Sequence, residues 1–329
     1  MDTARMGAAP GLRVSRELLT VAISTVALVL LCLAFAPSSI AYGALSGSLP
    51  FAAILAIVGL GQMLVVQQGG FDLSVPGGVS LAVVIASHYP EGNDAQLLPA
   101  IFLAFGCAIA AGVLNGILVG VLRLNAIVAT IGMNALLYGG VFAVSGGVPR
   151  ITTDLLASIA GGEMFGIGNA VWFALLILAV VWFMMKTTVV GRRFEAIGAN
   201  PRAALAIGLP IRTYQLAAYV IAQLHYCVAG ILIAGITTQP TAFQGDSLLL
   251  PSVAVVVLGG TSLLGGRGFP VPTVIAAFFL NQLSQFALSV GLPYSAQTII
   301  QAFALGFGIA AYSLRFTGLK KLFTTSKED

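Results

Sequence analysis

Charge is what this chain has least of. Of its 329 residues only 8% are Asp, Glu, Lys or Arg, while 58% are hydrophobic. Soluble globular chains carry about 25% charged residues. So little charge excludes a water-soluble fold, and a mean hydropathy of +1.01 makes lipid the solvent. Cysteine is nearly absent. Cys32, Cys107 and Cys227 all fall inside apolar runs and read as small buried side chains, which excludes a disulfide framework. The two histidines, His88 and His225, have no further ligand at metal-binding spacing, which excludes a metal centre. No G-x-x-x-x-G-K-[ST] stretch occurs, so the chain cannot hydrolyse ATP by that route. No nucleophile–base pairing stands out, and no Gly-x-Ser turn follows a strand, which removes a hydrolase elbow. The net charge of +4 does not signal nucleic acid, because the basic residues sit between apolar runs where topology accounts for them.

What the chain has instead is long, continuous apolar stretches. These are too long and too uniform for the alternating pattern of a membrane β-barrel, so the expected fold is all-α and polytopic. Ten spans are expected: 17–36, 50–67, 76–89, 98–122, 126–145, 168–186, 214–238, 247–264, 269–290 and 295–314. The third is short and Gly-rich. Arg13, Arg16 and "AFA" at 34–36 resemble a secretory signal, but the apolar run is long for that purpose and reads as the first span. With the N-terminus inside, 14 of the 15 basic residues fall on the cytoplasmic side, and only Arg150 lies outside. An even number of spans with both termini cytoplasmic satisfies the preference of Lys and Arg for that side. The expected organisation is one membrane domain over 1–329, with cytoplasmic tails at 1–16 and 316–329 and a cytoplasmic loop at 187–213.

That loop is the longest between spans on the inside, and it carries strong local signals. Asn200 is a good N-cap, and Pro201 follows at the first helical position. "RAALAI" is helix-forming and places Ala203, Ala204 and Ile207 along one side. Gly208 suits a left-handed C-terminal position, and Pro210 prevents continuation. Gly198 is expected to end the helix continuing from the sixth span. The product would be a short rigid helix lying on the membrane surface, either resting on head groups or docking a cytoplasmic partner.

The segment "EAIGANPRAALAIGLPI" at 195–211 resembles the coupling segment of ATP-binding-cassette (ABC) importer permeases, and specifically of the ribose/xylose/galactose type. "GGFDLSVPGG" at 69–78, "GVLNGILVG" at 112–120, "IVATIGMNALLYGG" at 127–140 and "VLGGTSLLGGRG" at 257–268 match the same family pattern in order. Phe71, Pro76 and Asn134 depart from it, which leaves the sugar open. The resemblance implies a transport subunit with no enzymatic activity in the inner membrane. It would pair with a second permease subunit and dock a cytoplasmic ATPase, the user of ATP and Mg, through Glu195, Gly198, Asn200, Ala203, Ala204, Ile207 and Gly208. It would receive a sugar from a periplasmic binding protein. The chain itself would hold no cofactor.

Asp72 is the ionisable residue nearest membrane depth and a functional candidate by default. Capping by Asp72 and Ser74 of a half-helix starting there, after a break at Gly69 and Gly70, is the competing reading. Gly259, Gly260, Gly265 and Gly266 make a second break, serving a broken helix or close packing. Span amides supply donors and acceptors for a neutral polyol without trapping charge. Asn115, Asn134 and Asn281 are the expected pathway residues, with Asp72. Residues 146–168 are expected outside, as a short helix meeting the delivery protein or as a linker. An ion-coupled secondary transporter is the alternative reading; the near absence of charged residues at span centres counts against it.

Overall fold

The structure is a computed structural model that describes residues 15–313. The remainder of the two expected tails and the last residue of the tenth expected span, 314, lie outside the described residues. Almost everything is helix. The order is α1 (Arg16–Phe35), α2 (Tyr42–Gln67), α3 (Val75–His88), α4 (Leu97–Gly116), α5 (Ala126–Ser145), α6 (Asp154–Gly161), α7 (Asn169–Thr187), α8 (Val189–Ala199), α9 (Pro201–Ala206), α10 (Ile211–Thr237), α11 (Leu249–Leu258), α12 (Pro270–Ser289) and α13 (Tyr294–Ser313). Between α6 and α7, β1 (Glu163–Met164) and β2 (Ile167–Gly168) form a small antiparallel hairpin. Among the described residues, seven helices are long and apolar enough to cross a membrane: α1, α2, α4 with its flanking turns, α5, α7, α10 and α12. The chain is a polytopic, all-α membrane protein.

The bundle is built around α2 and α10. The most apolar window of α2 is 83% buried and that of α10 61%, against 17% for α1 and 22% for α7. The outer helices present side chains such as Leu30, Phe102, Leu136 and Phe183 to the surroundings, as lipid-facing helices do. Small residues bring helices close where α4 crosses α10. A Cβ on Gly112 would lie 2.6 Å from the Val220 Cα, and one on Gly116 2.7 Å from the Leu216 Cα. This i, i+4 glycine pair allows backbone contact without a hydrophobic drive.

Two segments expected as spans are half-helices. α3 has only 14 residues, about 21 Å at the helical rise. The run read as 247–264 is a 10-residue helix, α11, preceded by a 3-10 turn at Asp246–Leu248 and followed by an irregular glycine loop. The non-helical stretch 68–74 leads inward to α3 from the membrane face that carries α9. Residues 239–245 lead inward from the opposite face, which carries the hairpin. The two meet inside the bundle: the Gly245 N–H donates to Ser80 Oγ at 3.0 Å, and a Cβ on Gly245 would fall 2.2 Å from the Pro76 carbonyl oxygen. The N-terminal ends of α3 and α11 therefore approach one another between the faces.

Three expectations are corrected. The second span begins at Tyr42, not 50, because Pro50 lies within a 26-residue helix. Gly198 ends nothing: the helix from the sixth span stops at Thr187. Thr188 then caps α8, accepting the Gly191 N–H at 3.2 Å, and Gly198 lies within α8. The eighth span is the half-helix just described. On the hairpin face, α6 realises the short helix expected within 146–168, capped by Thr153, which accepts the Leu156 N–H at 3.2 Å. Arg150 and Glu91 pair there at 3.6 Å.

Candidate functional site

Two constellations stand out, one inside the bundle and one on the α9 face. The inner one surrounds Asp72, which is fully buried. Asp72 Oδ1 accepts the Ser74 N–H at 2.9 Å and also the Ser74 hydroxyl. Ser74 Oγ in turn accepts Asn115 Nδ2 at 3.0 Å and Gln223 Nε2 at 2.7 Å. Thr130 Oγ1 accepts the Leu73 N–H at 2.9 Å, and Asn134 Oδ1 accepts the Gly77 N–H at 2.8 Å. The expected cap of α3 is thus shared differently. Ser74 makes no side-chain cap; Asp72 satisfies the N–H just before the helix, and Asn134 reaches across from α5 to satisfy one in its first turn. A broken helix needs such partners because its orphan N–H groups have no water to turn to.

Asn115 and Asn134 therefore stand together with Asp72. Asn281 does not: it lies on α12 beside a cavity of about 210 Å³, with Gln244, Ser247, Ser284 and Gln301. Its Nδ2 is buried with no hydrogen-bond partner. Replacing Asn134 with alanine should leave the Gly77 N–H unpaired in a dry site, at about 1–3 kcal/mol. The thermal midpoint of the purified protein should fall, while Asn134→Asp, which keeps the acceptor, should restore most of it.

On the α9 face, local chemistry follows the sequence signals closely. Asn200 Oδ1 accepts the Ala203 N–H at 3.0 Å, with Pro201 at the first helical position. Gly208 takes φ +78°, and its N–H donates to the Leu205 carbonyl at 2.9 Å. Asn200, Ala203 and Ile207 are exposed, Glu195 is half-buried, and Ala204 and Gly198 are buried. Ala203 and Ile207 thus lie on the outward surface of α9 together with the exposed Arg202, Leu205 and Ala206, while Ala204 packs inward.

What sequence reasoning missed is how α8 is held. The Gly266 N–H donates to the Gln67 carbonyl at 2.8 Å, and Gln67 Nε2 donates back to the Gly266 carbonyl at 2.9 Å. Gln68 Nε2 donates to the Phe194 carbonyl at 2.9 Å. A Cβ on Gly198 would lie 2.0 Å from the Gln67 carbonyl oxygen, and one on Gly265 2.6 Å from the Gly198 carbonyl oxygen. Gly265 and Gly266 both have φ near +90°, a conformation only glycine adopts without strain. The end of α2, the glycine loop 259–268 and α8 thus form one tight junction. The amide doublet Gln67-Gln68, at the end of an apolar run and directly before Gly69-Gly70, was the available signal. Lys186 at the end of α7 adds a cation–π contact to the Phe269 ring at 5.7 Å.

The chain matches the family described as branched-chain amino acid transport system / permease component over residues 44–309. It is 33% identical over 297 residues to a probable ABC transporter permease protein, y4mJ, of Sinorhizobium fredii, covering 87% of this chain and 88% of the relative. It is 32% identical over 254 residues to the ribose import permease protein RbsC of Escherichia coli K12, covering 75% and 78%. It is 31% identical over 273 residues to the galactofuranose transporter permease protein YtfT of the same organism, covering 82% and 80%. No solved structure matches. With its broken helices, its capped surface helix and a match spanning most of its length, this multi-pass inner-membrane chain is a transport subunit, not an enzyme, and belongs to the branched-chain amino acid transport system permease family.

Proposed function

We propose that this chain is the permease subunit of an ABC importer for a sugar or sugar-like solute. Ten membrane segments, counting the half-helices α3 and α11 and the helix α13, would form a single unit with both termini in the cytoplasm. Two such subunits, or one with a close relative, would enclose the pathway. A periplasmic binding protein would deliver the solute on the hairpin face, where α6 and β1–β2 lie. A cytoplasmic ATPase, using ATP and Mg, would dock on α9. The sugar imported or transported by the similar RbsC and YtfT proteins favours a neutral polyol, and the amides and hydroxyls around Asn281 suit one.

The observation that carries this reading is the junction of α8 with Gln67 and Gly266. A helix pushed from outside the membrane moves the pathway only if it is rigidly joined to the broken helices that line it. Here α8, directly preceding α9, is fastened to the last turn of α2, before the break leading to α3, and to the loop following α11. Ion-coupled carriers usually show intramembrane ionisable groups that bind the coupling ion, whereas Asp72 is already hydrogen-bonded to Ser74 and Gln223.

The test is uptake into vesicles containing the chain, its ATPase and its binding protein. Uptake should continue with the proton gradient collapsed and stop without ATP. Ile207→Glu, on the exposed side of α9, should reduce ATPase pull-down more than about tenfold, the loss of one desolvated apolar anchor, with insertion unchanged. Gradient-driven uptake by the chain alone, or normal pull-down by this variant, would overturn the reading.

A further inference from the structure

A cavity of about 720 Å³ sits beside α9. It is a half-open groove bordered by the π-helical turn that ends α4 (Ile117–Val121), the turn into α5, α9 itself and the first turn of α10. Arg123, Arg202 and Arg212 all line it, and no Asp or Glu does. Among the described residues none of the three makes an ion pair or a hydrogen bond; the single ion pair is Arg150–Glu91, on the other face. Arg123 also holds φ +58°, an uncommon left-handed conformation for a non-glycine residue. The rest of the wall is mostly apolar, with Leu124, Leu205 and Ile211 prominent and Thr213 and Gln215 its polar members.

Three unpaired guanidiniums over a greasy floor, at the ends of membrane helices, describe an amphipathic anionic ligand. We infer that this cavity binds the phosphate head group of an acidic phospholipid from the adjoining leaflet. Guanidinium forks match phosphate oxygens in bidentate geometry, and basic pockets between membrane helices hold acidic head groups. A free phosphate ion would use the arginines but not the apolar wall or most of the volume. Leu122, next to the cavity, is exposed, as are Leu124 and Leu205, which gives an acyl chain apolar side chains to lie against. The α9 residues Ala203 and Ile207 do not line the cavity, so lipid and ATPase would occupy different sides of the same short helix. This inference rests on the membrane placement of these helix ends, and not on the ATPase reading.

The experiment uses the full chain in phosphatidylcholine nanodiscs containing rising shares of phosphatidylglycerol, with bound lipid counted by native mass spectrometry after gentle extraction. Wild-type protein should retain phosphatidylglycerol in preference to phosphatidylcholine. Arg123→Gln and Arg212→Gln, neither on α9, should together lower that retention about tenfold or more, with the thermal midpoint without acidic lipid unchanged. Arg192→Gln, an exposed arginine off the cavity, should behave as wild type, and Arg123→Lys should recover part of the retention. Equal retention by wild type and the double variant overturns the inference. So does full competition by inorganic phosphate, which would make the ligand a free anion. Loss of ATPase pull-down with lipid retention unchanged would give the surface to the ATPase instead.

Discussion

Gly198→Ala is expected to abolish ATP-driven uptake. The added methyl would fall 2.0 Å from the Gln67 carbonyl oxygen and 2.9 Å from the Gly266 nitrogen. Both are backbone atoms, and no flexible side chain can swing aside. α8 must therefore lift away from the end of α2. In doing so it strains the Gly266 N–H to Gln67 bond and the Gln68 to Phe194 bond, which hold the same three elements. Overpacking costs about 1–3 kcal/mol even where neighbours can adjust, and here the neighbours are fixed. The α9 surface is untouched, so the ATPase should still be captured and should still hydrolyse ATP. The ratio of solute moved to ATP consumed should drop more than about tenfold. Gly106→Ala, where the methyl meets nothing within 4 Å, is the control and should be silent. Uptake by Gly198→Ala within twofold of wild type would show that α8 transmits nothing through this junction.

Asp72→Ala should be the most destructive change inside the bundle. It removes the acceptor of the Ser74 N–H and hydroxyl at a site sealed from water. Each buried donor left unpaired costs about 1–3 kcal/mol. Ser74 would also lose the anchor that orients it to receive Asn115 and Gln223. The amount of folded protein recovered from membranes and its thermal midpoint should both fall sharply. Asp72→Asn separates the two readings of this residue. An asparagine oxygen can accept the same two hydrogen bonds without carrying charge, so a structural Asp72 predicts substantial recovery of folding and uptake. If Asp72→Asn folds normally but is as inactive as Asp72→Ala, the charge itself acts in transport.

Much of this architecture was legible because it is written in local chemistry. The limits of α5 match expectation because Asn125 accepts the Ile127 N–H at its start and Gly146 takes φ +58° at its end. α9 starts and stops where Asn200, Pro201 and Gly208 say it should, for the same reason. The family blocks were visible as strings, and the comparisons agree with the resemblance. What stayed hidden is non-local. An apolar run such as 247–258 looks alike whether it crosses the bilayer or ends halfway, since periodicity carries no information about where its preceding segment enters. The expected second span began at Pro50, a residue type that suits a helix start, yet the helix runs through it. The break at Thr188 went unread although Thr187, Thr188, Val189 and Val190 are all β-branched and Gly191 follows, a weak local signal beside an apolar run. Gln67 and Gln68 act on partners 199 and 126 residues away, a pairing that no window along the chain can reveal. The Asp72 cluster was half legible. Its members were visible as polar residues among apolar ones, but the hydrogen bonds uniting them join four different helices or their approaches.

The two half-helices that meet at Pro76 and Gly245 each have a carboxylate near the N-terminal end: Asp72 ahead of α3, and Asp246 in the turn that opens α11. The amino end of a helix carries a partial positive charge, roughly half an elementary unit. Each acid is therefore favoured by peptide dipoles besides its side-chain donors, and among the described residues neither pairs with a lysine or arginine. The fold thus offsets charge at its two chain breaks with backbone it already has, importing no basic side chain to do so.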